Sequence, residues 1–124
     1  MADVTVTANS VLVRLSGWEV PLIRRRAVDV PLDAVCTAEA VDDWIAEPMG
    51  LRHGGLVVSG LVRIGIWIRA RRGERRLVTI RRGTPILRLG CDRSRGADFD
   101  ELLLSTTAAH SLVDELRVLT GDRR

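Results

Sequence analysis

Leu61-Val62-Arg63-Ile64-Gly65-Ile66-Trp67-Ile68-Arg69-Ala70 is the stretch that decides the fold class. Ile64, Ile66 and Ile68 fall on one side of an extended chain, with Arg63, Gly65, Trp67 and Arg69 on the other. A period of two marks a strand, because successive Cβ atoms point to opposite faces of a sheet. Arg72-Gly73-Glu74 is a turn signal, so the chain is expected to fold back as a hairpin into Arg76 to Ile80. A second turn at Arg82-Gly83-Thr84 leads on to Pro85 to Leu89. Successive turns of an antiparallel meander alternate between the ends of a sheet, which places the Gly73 and Gly83 turns at opposite ends.

Toward the N-terminus the same period recurs. Val4-Thr5-Val6-Thr7 and Val11-Leu12-Val13-Arg14-Leu15 alternate, separated by a turn at Asn9-Ser10. Trp18 to Ile23 is a further apolar stretch that stops at Arg24-Arg25-Arg26. Val28 and Val30 share a face, and Pro31, which lacks a donor, belongs at an edge or a strand end. Asp33 to Val41 reads as one more strand, with Ala34, Cys36, Ala38 and Ala40 on one face. Asp42 to Gly60 holds Pro48, Gly50, Gly54, Gly55 and Gly60 and reads as a long loop. Cys91 to Asp98 is a polar loop, and Asp100 to Ser105 a last short strand.

The C-terminal end changes period. Ala109, Leu112, Val113, Leu116 and Leu119 follow the spacing of one helical face, with Thr106 or Thr107 as the N-cap and Gly121 as the stop. This predicts a helix over about 107–119. Many short strands and one final amphipathic helix describe a single domain, mainly β: a small barrel or sandwich whose open end the helix covers.

The composition limits what such a domain does. The chain has 124 residues and a net charge of +3, and every one of its 19 basic residues is arginine. Trp18, Trp44, Trp67 and Phe99 are its only aromatic residues, so aliphatic side chains must fill the core. Met1-Ala2-Asp3-Val4 has an acid where a secretory leader carries positive charge, and no run approaches the roughly 18 apolar residues of a membrane span. The expected compartment is the cytoplasm, with Cys36 and Cys91 as buried free thiols that serve packing and a disulfide between them as the alternative.

Several segments are similar to the bacterial pleckstrin-homology-like (PH-like) domains, a group frequent in actinobacteria. Val28-Asp29-Val30-Pro31-Leu32-Asp33-Ala34-Val35 resembles the family's apolar–Pro–apolar segment before a strand. Gly50-Leu51-Arg52-His53-Gly54-Gly55, Ser59-Gly60 and the Gly65 strand resemble its glycine-rich approach to a long central strand. Phe99-Asp100-Glu101-Leu102-Leu103-Leu104-Ser105 resembles its last strand and cap. The resemblance covers roughly residues 11 to 119. It implies a strongly bent antiparallel β-barrel of about seven strands capped by a C-terminal α-helix, binding lipids, peptides or proteins without catalysis. Arg14, Arg24 and Arg26 are similar to the basic triplet of phosphoinositide-binding members, although the family's lysine is absent.

No residue pattern here carries chemistry. His53 and His110 lie far apart, outside any zinc-ligand spacing, and no nucleophile accompanies His53. The glycines at 50, 54, 55 and 60 lead toward a strand and lack the Gly-Lys-Ser/Thr of a phosphate loop. Neither a metal nor a cofactor is expected, and the chain reads as a non-enzymatic interaction domain. Arginine density stands above background at Arg24, Arg25, Arg26, Arg71, Arg72, Arg75, Arg76, Arg81 and Arg82, which are the candidate contacts for an anionic partner. The leading expectation is a protein or peptide partner, bound at a strand edge or helix–sheet groove. Peripheral binding to an anionic membrane surface through the arginine-rich turns is the alternative, and self-association through an exposed strand edge a weaker one. Nucleic acid fits less well, since no reading helix or aromatic platform accompanies the charge.

Overall fold

The computed structural model describes residues 3–17, 20, 23, 26–42, 51–52, 56–58, 62–69 and 74–120; from 51 to 63 and from 67 to 69 it is described through the backbone alone. Three strands come first: β1 (Asp3–Val6), β2 (Ser10–Arg14) and β3 (Ala27–Pro31). They pair in sequence order as an antiparallel sheet. Val11, Val13, Val28 and Val30 are buried on one face, while Asp29 and Arg14 are exposed. Pro31 stands at the strand end, where the missing donor costs nothing, and a 3-10 turn, Leu32–Ala34, carries the chain away.

The remaining strands form the larger sheet. They are β4 (Val35–Val41), β5 (Leu51–Arg52), β6 (Leu56–Val58), β7 (Val62–Arg69), β8 (Glu74–Arg81), β9 (Ile86–Cys91) and β10 (Glu101–Ser105). The order is β4-β9-β10-β8-β7-β5, with β6 also pairing β7. The long strand around Ile66 and its hairpin partner are as expected, in register from Val62↔Arg81 to Arg69↔Glu74. The segment expected to be one long loop, Asp42 to Gly60, instead contributes β5 and β6, two short strands that both cover β7.

The Gly83 turn does not close a hairpin. β10 lies between β8 and β9, parallel to β8 and antiparallel to β9. Leu102, Leu103 and Leu104 are each fully buried, as a central strand covered on both faces requires. Both ends of the insertion are tied by polar groups. At the Gly83 end the Arg81 N–H donates to Ser105 Oγ at 2.7 Å, and the Thr106 N–H donates to the Pro85 carbonyl at 3.0 Å. At the other end the Arg75 N–H donates to the Asp100 carboxylate at 2.7 Å, and the Asp100 N–H donates to the Arg75 carbonyl at 2.9 Å.

This insertion overturns the expected barrel. Among the described residues neither sheet closes, and the larger one is mixed, not antiparallel throughout. A PH-like barrel needs β8 and β9 to pair as meander neighbours, and β10 has taken the hydrogen-bonding edge of each. Among the described residues the β-barrel and PH-like descriptions are therefore corrected to two open sheets and a C-terminal helix.

The helix, α1 (Ala109–Thr120), is where its period places it. Of the two threonines Thr106 is the cap, its Oγ1 accepting from the Ala108 N–H at 3.2 Å. Ala109, Leu112, Val113 and Leu116 are buried against the core, but Leu119 is 43% exposed, so the apolar stripe ends one turn earlier than its spacing implies. Among the described residues this helix is too short and too polar to cross a membrane. α1 packs over β4 and β9, where the small Ala38 and Ala40 face the core. Ala34 and Cys36 were expected on that same face; Ala34 is buried, but Cys36 is exposed because the ladder slips between Val35 and Thr37. The close approach continues at Gly90, where a Cβ would meet Thr37 Oγ1.

On its other face the larger sheet carries a second cluster, Val78, Ile80, Ile86 and Leu103. Beside it Arg76, only 3% exposed, faces Glu101 across β8 and β10 with Nε to Oε1 at 3.4 Å. The pair attracts without hydrogen bonding: Arg76 Nε and Nη1 and Glu101 Oε1 are buried with no hydrogen-bond partner. Arg88 supplies the missing geometry from β9, its Nη2 donating to Glu101 Oε2 at 3.2 Å, and reaches Glu39 on β4 at 3.6 Å.

Two stability effects follow. Glu101→Leu leaves the buried Arg76 uncompensated and is expected to cost about 3–5 kcal/mol in urea unfolding, with the Arg76→Leu/Glu101→Leu double variant losing less than Glu101→Leu alone. Leu116→Ala removes an anchor of α1 that is 1% exposed and is expected to cost about 2–5 kcal/mol by the same measurement.

Candidate functional site

The nine candidate arginines are dispersed. Arg24, Arg25, Arg71 and Arg72 lie outside the described residues. Arg26 is exposed just before β3, and its carbonyl accepts from the Leu15 N–H at 2.8 Å. Arg75 is exposed at the start of β8, and Arg81 and Arg82 are exposed at the opposite end of that strand. Arg76 is not a surface residue: its place in the alternation turns it onto the covered face of the sheet. Trp18, Trp44, Trp67 and His53 fall on side chains outside the description. His110 is exposed on α1, with its Nε2 2.7 Å from Asp42 Oδ1 just past β4.

A depression of about 710 Å³ opens where β4 and β8 begin and β9 ends. Cys36, Cys91, Arg75, Arg93, Asp92 and Asp100 stand around it. Its rim is the connection from β9 to β10, and local chemistry shapes that segment. The Asp92 carboxylate accepts from the Ser94 hydroxyl at 2.6 Å and the Ser94 N–H at 2.9 Å, the turn an aspartate forms two residues ahead of its own position. Those two bonds, aided by Arg95, hold the Asp92 carboxyl below the usual aspartate range. Gly96 ends the 3-10 turn Arg93–Arg95 at φ 105°, a left-handed conformation that glycine adopts without a Cβ clash. Arg93 Nη1 lies 3.6 Å from Asp100 Oδ2.

The thiols at this end differ in setting. Cys36 is the extra residue of the β4 slip and is exposed, with Sγ 3.8 Å from the Ala34 carbonyl. Cys91 is half-buried, and burial pushes its thiol up from 9.0 to about 12, with Cys36, Asp100 and Glu101 adding in the same direction. Both are free thiols. Among the described residues no group of three or more His, Cys, Asp or Glu side chains is arranged to hold a metal ion. The depression was not apparent in the sequence; only its rim was signalled, by Asp92 two residues before Ser94.

A second feature is the open side of β4. It pairs β9, and among the described residues no strand pairs it on the other side. The Cys91 N–H donates to the Asp100 carbonyl on the β10 side at 2.8 Å. Backbone groups alternate along an antiparallel ladder, so Gly90 and Arg88 point to β4 and meet Thr37 and Glu39. The N–H and C=O groups of Ala38 and Ala40 therefore point outward. Cys36, Thr37 and Glu39 are exposed along the same strand.

No family model matches this chain, and neither curated proteins nor solved structures gave a match to it. The site thus rests on its own geometry.

The raised Cys91 value sets a pH window. The folded chain keeps a proton that the unfolded chain releases first, so this contribution to stability is complete below pH 9 and is lost as pH rises from 9.0 toward about 12. With no lysine or tyrosine in the sequence, few other groups titrate there. The melting temperature is expected to fall across that window, and Cys91→Ser to flatten the fall.

Proposed function

We propose that this chain is a protein-interaction domain that takes up an extended segment of a partner as an added strand on β4. The observation that carries it is the outward backbone of Ala38 and Ala40 on a strand paired along one side. Such an edge supplies main-chain donors and acceptors to any extended chain, and the side chains above and below it supply selectivity. Here one side presents Glu39, 59% exposed, with Arg88 behind it. The other presents Ala38 and Ala40, small enough for a partner's apolar side chain to approach α1. The slip at Cys36 bends one end of the edge, which limits indiscriminate pairing and leaves Thr37 to Val41 as the regular portion.

Arginine pairing supports a protein partner over a lipid surface. Arg76, Arg88, Arg93 and Arg95 all lie against carboxylates of the same chain. Arg75, Arg81 and Arg82 are split between two ends of β8 and form no continuous basic face among the described residues.

The test is selection of a displayed random-peptide library on the immobilised protein. Binders are expected to lose at least tenfold in affinity with Ala38→Pro, which removes an outward donor and spares the β9 ladder, at an unchanged melting temperature. Amide exchange at Ala38 and Ala40 should slow on binding. Retention by Ala38→Pro, or salt-sensitive binding to anionic vesicles with no peptide selected, would overturn the assignment.

A further inference from the structure

Cys36 and Cys91 are distant in sequence and neighbours in the sheet. Val35 is the register partner of Cys91 and Thr37 that of Gly90, so Cys36 is the one residue interposed beside Cys91. Paired strands lie about 4.7–4.9 Å apart, and a disulfide requires Cα atoms about 4.4–6.8 Å apart, so neighbours across a ladder are within bonding reach. A slipped ladder also lacks the regular alternation that would hold the two side chains apart on successive positions. Both cysteines border the same open depression, which admits a small solute. Their exposure differs in the way a two-step oxidation needs: Cys36 is exposed, and Cys91 is half-buried and protonated through neutral pH.

We propose that Cys36 and Cys91 are an oxidisable dithiol that a hydroperoxide converts to an intramolecular disulfide across the β4–β9 slip. Cys36 reacts first. Its thiolate attacks the terminal peroxide oxygen; an S–O bond forms, the O–O bond breaks, and the departing alkoxide, or hydroxide in the case of hydrogen peroxide, takes a proton from solvent. Cys91 then attacks the sulfenic sulfur of Cys36. The S–S bond forms, the S–O bond breaks, and the hydroxyl leaves as water with the proton from Cys91. Two thiols are oxidised, and one hydroperoxide is reduced to water and the corresponding alcohol, or to two waters for hydrogen peroxide. Burial of Cys91 makes this second step quicken with rising pH, while its place beside Cys36 keeps it ahead of the first. This chemistry does not depend on whether β4 binds a partner.

The experiment treats the full chain with hydrogen peroxide at micromolar protein concentration and follows free thiols, intact mass and peptide maps. The expected result is loss of both thiols together, a monomer lighter by two hydrogen atoms, and a Cys36–Cys91 cross-linked peptide that dithiothreitol releases. With Cys91→Ser, Cys36 should instead accumulate as a sulfenic acid trapped by dimedone. With Cys36→Ser, Cys91 should oxidise at least tenfold more slowly than the pair does. The wild-type peptide map stands even if a variant is unstable. Dimedone adducts without an internal cross-link in the wild type, disulfide-linked dimers alone, or unchanged Cys91 oxidation in Cys36→Ser would each overturn the assignment.

Discussion

The hydrogen-bonding demand of β10 is the constraint on which the rest of the structure depends. Leu102, Leu103 and Leu104 leave no solvent-facing side, so both backbone edges of this strand must be satisfied by protein. The chain meets the demand by holding β8 and β9 one strand apart and placing β10 between them. Asp100 ties one end and Ser105 the other, each replacing a ladder bond that the turn cannot make. With β9 committed to β10 on one side, β4 becomes its other neighbour and, among the described residues, the end of the sheet. The open edge, the depression and the meeting of the two cysteines are all consequences of that order.

Charge is organised by the same insertion. Glu101 enters the sheet between Arg76 and Arg88 and offers one carboxylate oxygen toward each. A buried pair of this kind adds little net stability over an apolar pair, but a misplaced strand would leave Arg76 buried and alone. The ladder from β8 through β10 to β9 and β4 therefore penalises other strand orders. Arginine suits it, because a guanidinium keeps its charge and directs several donors in a plane.

The arginine-rich character of this chain was plain in the sequence, and what each arginine does was not. Arg75 and Arg76 are adjacent and chemically identical, yet one is exposed beside the depression and the other is buried against Glu101. Alternation shows that they point opposite ways; only the covering of one face shows which is which. The thiols follow the same logic. Cys36 sits in a run of alanines that reads as a regular core face, and one slip against β9 takes it out of that face and sets it beside Cys91.

The sequence by itself determined what depends on near neighbours along the chain. The period of two across Ile64, Ile66 and Ile68, the helical spacing that starts at Ala109 and a threonine cap at 106 or 107 are local, since each is set by backbone sterics and bonds a few residues apart. Tertiary structure decided which strand lies beside which. Backbone N–H and C=O groups are the same in every residue but proline, so a strand edge carries almost no record of its partner. β8 and β9 looked like meander neighbours because their turn is short, and they were parted because β10, apolar on both faces, is buried only at the centre of a sheet.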